Sequence, residues 1–316
     1  SLASLSCSFS ITNTLLLMLA HSWCWLDLHF FVDCCSVLFF LAVDTGPIPL
    51  KLLLCLLLLL LLLLPITSQF VLAALPIFSW LALFNSSSSI SPSYRPKIQV
   101  SVLPSIESIL YGDDLSNSLS VHKSSLLDVL AWMPYGLIHF VAPFLVAILI
   151  FIKCPPKSLR VYAFSFGYMN LTGVLIQLLF PCAPPWYKNL YGLNPANYSI
   201  NGSPAGLTRI DALFNLNLYS SSFQKSPMVF GAFPSLHSAC AVNLALFLNH
   251  IFPNHSIYWC SYVLWIWWST MYLNHHYFVD LIGGAILSFL FYYFSTLFLM
   301  PVINHNIPSR WHYHKI

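Results

Sequence analysis

Long apolar runs broken by short polar patches set the pattern of this chain. The runs reach about 17–25 residues, the length that one helical bilayer crossing needs. The first plausible span covers about 28–43, because His21, Asp27, His29 and Asp33 interrupt the apolar stretch that begins earlier. A turn at 44–49 comes next, then a leucine tract from Lys51 to Leu64, a break at 65–69, and a further apolar run to Phe84. Residues 51–84 accommodate either a hairpin of two short spans or one span with a re-entrant piece. Residues 85–127 are polar and read as an extramembrane loop carrying a short interfacial helix. In it Asp113 and Asp114 are placed to cap the next segment. Spans are then predicted at about 128–152 and 161–180, before a loop at 181–233 rich in Pro, Gly, Asn and Tyr. The last three runs cover about 238–252, 256–273 and 277–300.

The pattern predicts an all-α, polytopic transmembrane helical bundle of about six to eight spans. It divides into an unassigned segment at 1–26, N-terminal spans at 27–84, the loop at 85–127, a membrane core at 128–301 and a tail at 302–316. Residues 1–26 do not open on Met, and nothing is built on them. The leucine tract reads as membrane filler, and no internal repeat is visible.

Composition strengthens the membrane reading. Of 316 residues, 58% are hydrophobic and 7% charged, against roughly a quarter charged in soluble domains. Trp and Tyr near the run ends suit interfacial belts. A net charge of +3 is too small to argue for nucleic acid. The nine cysteines fall mostly inside apolar runs, as Cys55, Cys240 and Cys260 do, and read as small buried hydrophobes. Their spacing matches no zinc site.

Two polar patches in the last third carry candidate chemistry: 231–238, with Ser235, His237 and Ser238, and 275–280, with His276 and Asp280. Two predicted crossings separate them, which returns the chain to the face it left and puts His237, His276 and Asp280 on one side. On that count the loops at 85–127 and 181–235 share this active face. Residues 153–160, with Lys153, Lys157 and Arg160 and no acid, lie opposite with the tail. Positive charge concentrates on the cytoplasmic side, so the active face is expected to be lumenal or extracellular. Sequons at Asn85 and Asn197 fall on it.

His276 and Asp280 stand four apart, the spacing of neighbours on one helix face. A carboxylate behind an imidazole fixes its tautomer and leaves the far nitrogen free. His237 lies where a Pro-containing loop enters a helix, an end whose amides favour an anion, and Ser235 and Ser238 add donors. The set suits phosphoryl transfer through a histidine nucleophile, with a second histidine protonating the leaving oxygen. His275 is expected to point elsewhere on the helix, and His250, His255 and the tail histidines to be interfacial. His139 lies deep enough in its span for either a functional role or helix-to-helix hydrogen bonding.

The segments GAFPSLHSACA (231–241), WWSTMYLNHHYFVDL (267–281), FGYMNLTGVLIQ (166–177), APPWYKNLYGL (183–193), SPAGLTRIDALF (203–214), ILYGDDLS (109–116) and DVLAWMPYG (128–136) resemble the catalytic subunits of the fungal inositol phosphorylceramide synthase family. These lie within the type 2 phosphatidic acid phosphatase superfamily. The resemblance implies transfer of phosphoinositol from phosphatidylinositol to ceramide with release of diacylglycerol. It assigns His276 as nucleophile, Asp280 as its orienting group and His237 as proton donor and acceptor. It implies no metal or other cofactor, a Golgi membrane with a lumenal site, and a small accessory membrane subunit. A lipid phosphate phosphatase, with water as acceptor, is the alternative. The superfamily's first motif, a Lys separated by six residues from Arg-Pro, is missing, and Thr270 stands where an Arg is usual. Arg209 and then Lys188, on the active-face loop, are the candidates for the missing phosphate-facing cation.

Overall fold

The computed structural model describes residues 47–300. The expected span at about 28–43 and the tail at 302–316 lie outside the described residues. Most of the rest is helical, with extended backbone pairing limited among the described residues to two isolated bridges, Gln99 with Cys182 and Cys182 with Gly231.

Helix α1 (Ile48–Leu63) is the leucine tract, and α2 (Pro65–Ser86) begins after a single extended residue, Leu64. Proline at the first helical position starts α2 and cannot continue α1. The polar segment after Ser86 holds two short helices, α3 (Val102–Tyr111) and α4 (Leu115–Ser120). Asp114 caps α4, its carboxylate accepting the Asn117 amide at 3.1 Å. Helix α5 runs over Ser125–Lys153 and contains a π-turn at Met133–Ile138. Next come α6 (Ser158–Leu179) and, in the long loop, three short helices: α7 (Pro185–Tyr191), α8 (Thr208–Phe214) and α9 (Leu218–Gln224). The chain then forms α10 (Leu236–Ile251), α11 (Ser256–Tyr272) and α12 (Phe278–Phe294), the last extended by a π-turn to Leu299.

Four stretches are helical, long and apolar enough to cross a bilayer: Phe70–Ser89, Ser125–Lys153, Ser158–Leu179 and Phe278–Leu299. The chain is a multi-pass membrane protein. Exposed apolar side chains agree, among them Phe140, Phe144 and Ile148 on α5 and Ile286, Phe289 and Leu290 on α12. In water such surface would be a liability, whereas facing lipid it costs nothing. Helices α10 and α11 are shorter, at 16 and 17 residues.

The buried polar groups lie between helices. Asn243 on α10 donates to Ser165 on α6 at 2.9 Å, and the Cys240 thiol donates to Asn170 at 3.3 Å. Around them Val146, Phe166, Met169, Leu244 and Leu287 make one apolar cluster from α5, α6, α10 and α12. Glycine permits the closest approach. A Cβ on Gly284 of α12 would lie 2.2 Å from the Ser235 carbonyl at the head of α10. That contact locks together the two helix starts that carry the polar patches.

Candidate active site

Ser235 is the N-cap of α10, and its hydroxyl accepts the Ser238 amide at 3.3 Å. Its own amide donates to the Asp280 carbonyl at 3.0 Å, and Ser238 Oγ donates to the Leu281 carbonyl at 2.6 Å. Both serines therefore fasten the head of α10 to the head of α12.

His276 does not lie on a helix. It sits in the turn between α11 and α12, two residues before α12 begins. Asn274 takes a left-handed conformation there, with φ 59°, which asparagine tolerates better than most residues. Thr270 shapes the same turn, its carbonyl accepting the amides of His275 and His276 at 2.9 and 3.3 Å. Asp280 closes the turn as part of a capping box with Tyr277, accepting that residue's amide at 2.9 Å through Oδ2. The same oxygen lies 3.5 Å from His276 Nδ1. The expected His–Asp pair is present, but helix capping rather than a shared helix face creates it.

On the other side, His276 Nε2 lies 3.2 Å from His237 Nδ1. The structure thus joins all three predicted catalytic side chains in the order Asp280, His276, His237. His276 and Asp280 are buried, the latter fully. Burial pushes the His276 imidazole down to about 4, opposed by the nearby Ala232 carbonyl.

Besides His276, two aromatic rings wall His237. Tyr135 stacks on it at 4.4 Å between centroids, His139 approaches at 4.6 Å, and Tyr135 also stacks on His275 at 5.2 Å. Tyr135 lies inside the π-turn of α5 and His139 directly after it. Such turns re-aim side chains within an otherwise regular helix. His275 is directed to the Pro204 carbonyl rather than to His276 or Asp280, as expected, though from the turn and not from a helix face. It is buried, its Nε2 lies 3.2 Å from the Pro204 carbonyl, and burial lowers its imidazole to about 3. An HH pair in a turn, with Asn before it and a capping Asp after it, was the available sequence signal.

Both candidate cations are ion-paired. Arg209 Nη2 is 2.6 Å from Asp128 Oδ1, which also accepts the Tyr272 hydroxyl at 2.9 Å. Lys188 Nζ is 2.9 Å from Asp114 Oδ2. Each cation keeps part of its side chain exposed, 28% for Arg209 and 33% for Lys188, while the acids are buried.

Residues 109–294 match the family model described as PAP2 superfamily. The chain belongs to that superfamily. Within it, the chain is 49% identical over 297 residues to an inositol phosphorylceramide synthase of Candida albicans, covering 94% of this chain and 63% of that protein. It is 51% identical over 249 residues to the inositol phosphorylceramide synthase catalytic subunit of Schizosaccharomyces pombe, covering 79% and 59%. For the corresponding subunit of Saccharomyces cerevisiae the identity is 47% over 283 residues, covering 89% and 70%. The chain thus spans about three fifths of the length of the first two PAP2 relatives. No solved structure matches it.

Proposed function

We propose that this protein is an inositol phosphorylceramide synthase, transferring phosphoinositol from phosphatidylinositol to the 1-hydroxyl of ceramide. The observation that carries the proposal is the Asp280–His276–His237 line in a chain about half identical to proteins of that name.

With Nδ1 of His276 turned to Asp280, Nε2 holds the lone pair. Nε2 attacks phosphorus and forms the P–N bond as the P–O bond to diacylglycerol breaks. His237, entering this step as the imidazolium, gives its second proton to the departing oxygen and is left neutral. Ceramide then enters, its hydroxyl loses a proton to His237, and its oxygen takes the phosphorus. The P–N bond breaks, His276 is neutral again, and the two proton transfers cancel. At 3.2 Å the histidines are in hydrogen-bond contact, so a phosphoryl group reaching Nε2 parts the two rings.

The first turn of α10, with Ser235 and Ser238, is the proposed phosphate cradle, since a helix N-terminus favours an anion. Arg209 and Lys188 are the proposed phosphate cations, each shared with its paired acid. Because transfer requires water to be kept from the phosphohistidine, the burial of His276 supports a lipid acceptor over water. The remaining proposals are a catalytic core at 128–301, six to eight crossings, a Golgi membrane with the site facing the lumen, and a small accessory membrane subunit.

The test is incubation of the purified protein with fluorescent ceramide and phosphatidylinositol in mixed micelles, beside His276→Ala. An inositol-bearing ceramide made only by the unsubstituted protein is expected. Inositol phosphate released with ceramide untouched would make the enzyme a hydrolase. Equal product from both proteins would remove His276 as nucleophile.

A further inference from the structure

Glu107 stands outside the residues matched by the superfamily, in the polar segment before them, yet it is wholly buried. Its Oε1 accepts the Val279 amide at 2.8 Å, across 172 positions of sequence. Oε2 is buried as well. A buried carboxylate is costly unless its surroundings compensate it, and here the compensation comes from the start of α12. The first-turn amides of a helix have no partner within it, and the positive end of the helix dipole favours a carboxylate. Val279 lies between His276 and Asp280, so whatever fixes its amide fixes both.

The same segment grips the other end of the turn. Ser116 Oγ donates to the Met271 carbonyl at 2.8 Å, and Asn274 Nδ2 donates to Ser116 Oγ at 3.1 Å. Together Glu107 and Ser116 hold the turn that carries His275 and His276 at both ends. Other features of Glu107 also fit an attachment to the helix start. Burial raises its carboxyl above the ordinary range, the Val279 and Leu115 amides pull it back, and the Asp280 and Asp114 carboxylates add to the rise.

We infer that Glu107 is a positioning residue for the transfer reaction: by accepting the Val279 amide it sets the start of α12 and so the spacing of Asp280, His276 and His237. The inference rests on the proposed function for the step it serves. The hydrogen bond itself is testable without that step.

Two readouts test it on the full chain in micelles. In the first, hydrogen–deuterium exchange is followed in peptides covering 274–284. Glu107→Ala is expected to exchange faster there, and Glu107→Gln, which keeps an acceptor oxygen, to match the unsubstituted protein. In the second, kcat and KM for both lipids are measured in the same variants. Glu107→Ala is expected to lower kcat about 100-fold, the scale of a misplacement of roughly 1 Å, with both KM values unchanged and Glu107→Gln restoring kcat to within about threefold. Should Glu107→Ala fail to fold, Glu107→Asp takes its place: one methylene shorter, it is expected to show the same losses. Unchanged kcat in Glu107→Ala, or in the Asp variant where that stands in, overturns the inference. So does an equal loss in Glu107→Gln, or an effect on KM alone. Unchanged exchange also overturns it, whatever the activity. If the unsubstituted protein makes no inositol-bearing ceramide while the exchange contrast persists, the reaction has been misread and the clamp at α12 stands.

Discussion

Asp280 performs two tasks with one carboxylate, and the two can be separated by substitution. Oδ2 caps the Tyr277 amide and also faces His276 Nδ1. Asparagine preserves an acceptor for the cap but removes the charge that fixes the imidazole. Asp280→Asn is therefore expected to keep its thermal midpoint within a few degrees while kcat falls about 10²–10⁴-fold. Asp280→Ala is expected to lose about 1 kcal/mol of stability in addition. Equal midpoints in the two variants would mean that the cap contributes nothing. A second expectation concerns pH. The folded pKa of His276 is about 4 and that of His275 about 3, against roughly 6.5 in an unfolded chain. Between these values the unfolded state binds more protons, so the stabilisation is complete above about pH 6.5 and is lost as pH falls through 6.5 towards 4. Thermal midpoints measured from pH 7.5 to 4.5 are expected to decline below 6.5, and to decline less in His275→Gln. A flat profile would mean that neither imidazole is held neutral. The juxtaposed side chains of His237, His276 and Asp280 were legible in sequence because the proposed chemistry restricts residue types and the predicted crossings return both polar patches to one face. The burial of His275 was not, because it follows from a turn with a left-handed residue at 274 that no helical periodicity encodes.

At the level of helices, the sequence predicted the bounds of the apolar helices in the last third to within a few residues. The runs at 238–252 and 256–273 became Leu236–Ile251 and Ser256–Tyr272. Hydropathy is a strong signal because lipid allows few alternatives to a helix. It is silent on the short helices α7, α8 and α9, whose reasons lie in tertiary contacts. The Asp211 carboxylate, for example, gathers the amides of Leu218, Tyr219 and Ser220 at the head of α9. The close approach of α10 to α12 was equally hidden, and it gives a prediction about neighbouring glycines. A Cβ at Gly284 meets backbone, the Ser235 carbonyl at 2.2 Å, whereas one at Gly283 meets the Phe233 ring at 2.4 Å. A ring can turn aside; a helix cap cannot. Gly284→Ala is expected to cost about 2–3 kcal/mol by overpacking and to reduce transfer by spreading His237 from His276. Gly283→Ala is expected to cost about 1 kcal/mol or less. Thermal inactivation with residual transfer activity measures both, and the reverse order would contradict the helix contact.

For the whole molecule the number of crossings turns in part on α10 and α11, which are short, as α1 also is. At 1.5 Å per residue α10 and α11 are about 24 and 26 Å long, a little less than the roughly 30 Å hydrocarbon core. They nevertheless pack among the longer spans, and Cys240 and Leu244 of α10 lie in the cluster built with α5 and α6. A shallow mismatch of this size is absorbed by local thinning or snorkelling, so both are expected to cross. Asn254 lies in the short turn between them. If α10 crosses, Asn254 emerges on the same side as Lys157, in the turn between α5 and α6, and opposite Asn194 in the long loop. Single cysteines at these three positions, with the nine native cysteines replaced, can be probed with a membrane-impermeant maleimide in sealed vesicles whose cytoplasmic face is outward. Lys157→Cys and Asn254→Cys are expected to react at once, and Asn194→Cys only after detergent. Reaction of Asn254→Cys together with Asn194→Cys would mean that α10 and α11 form a re-entrant pair. All three reversed would place the histidines on the cytoplasmic side, against the cluster of Lys153, Lys157 and Arg160 that argues for the opposite orientation.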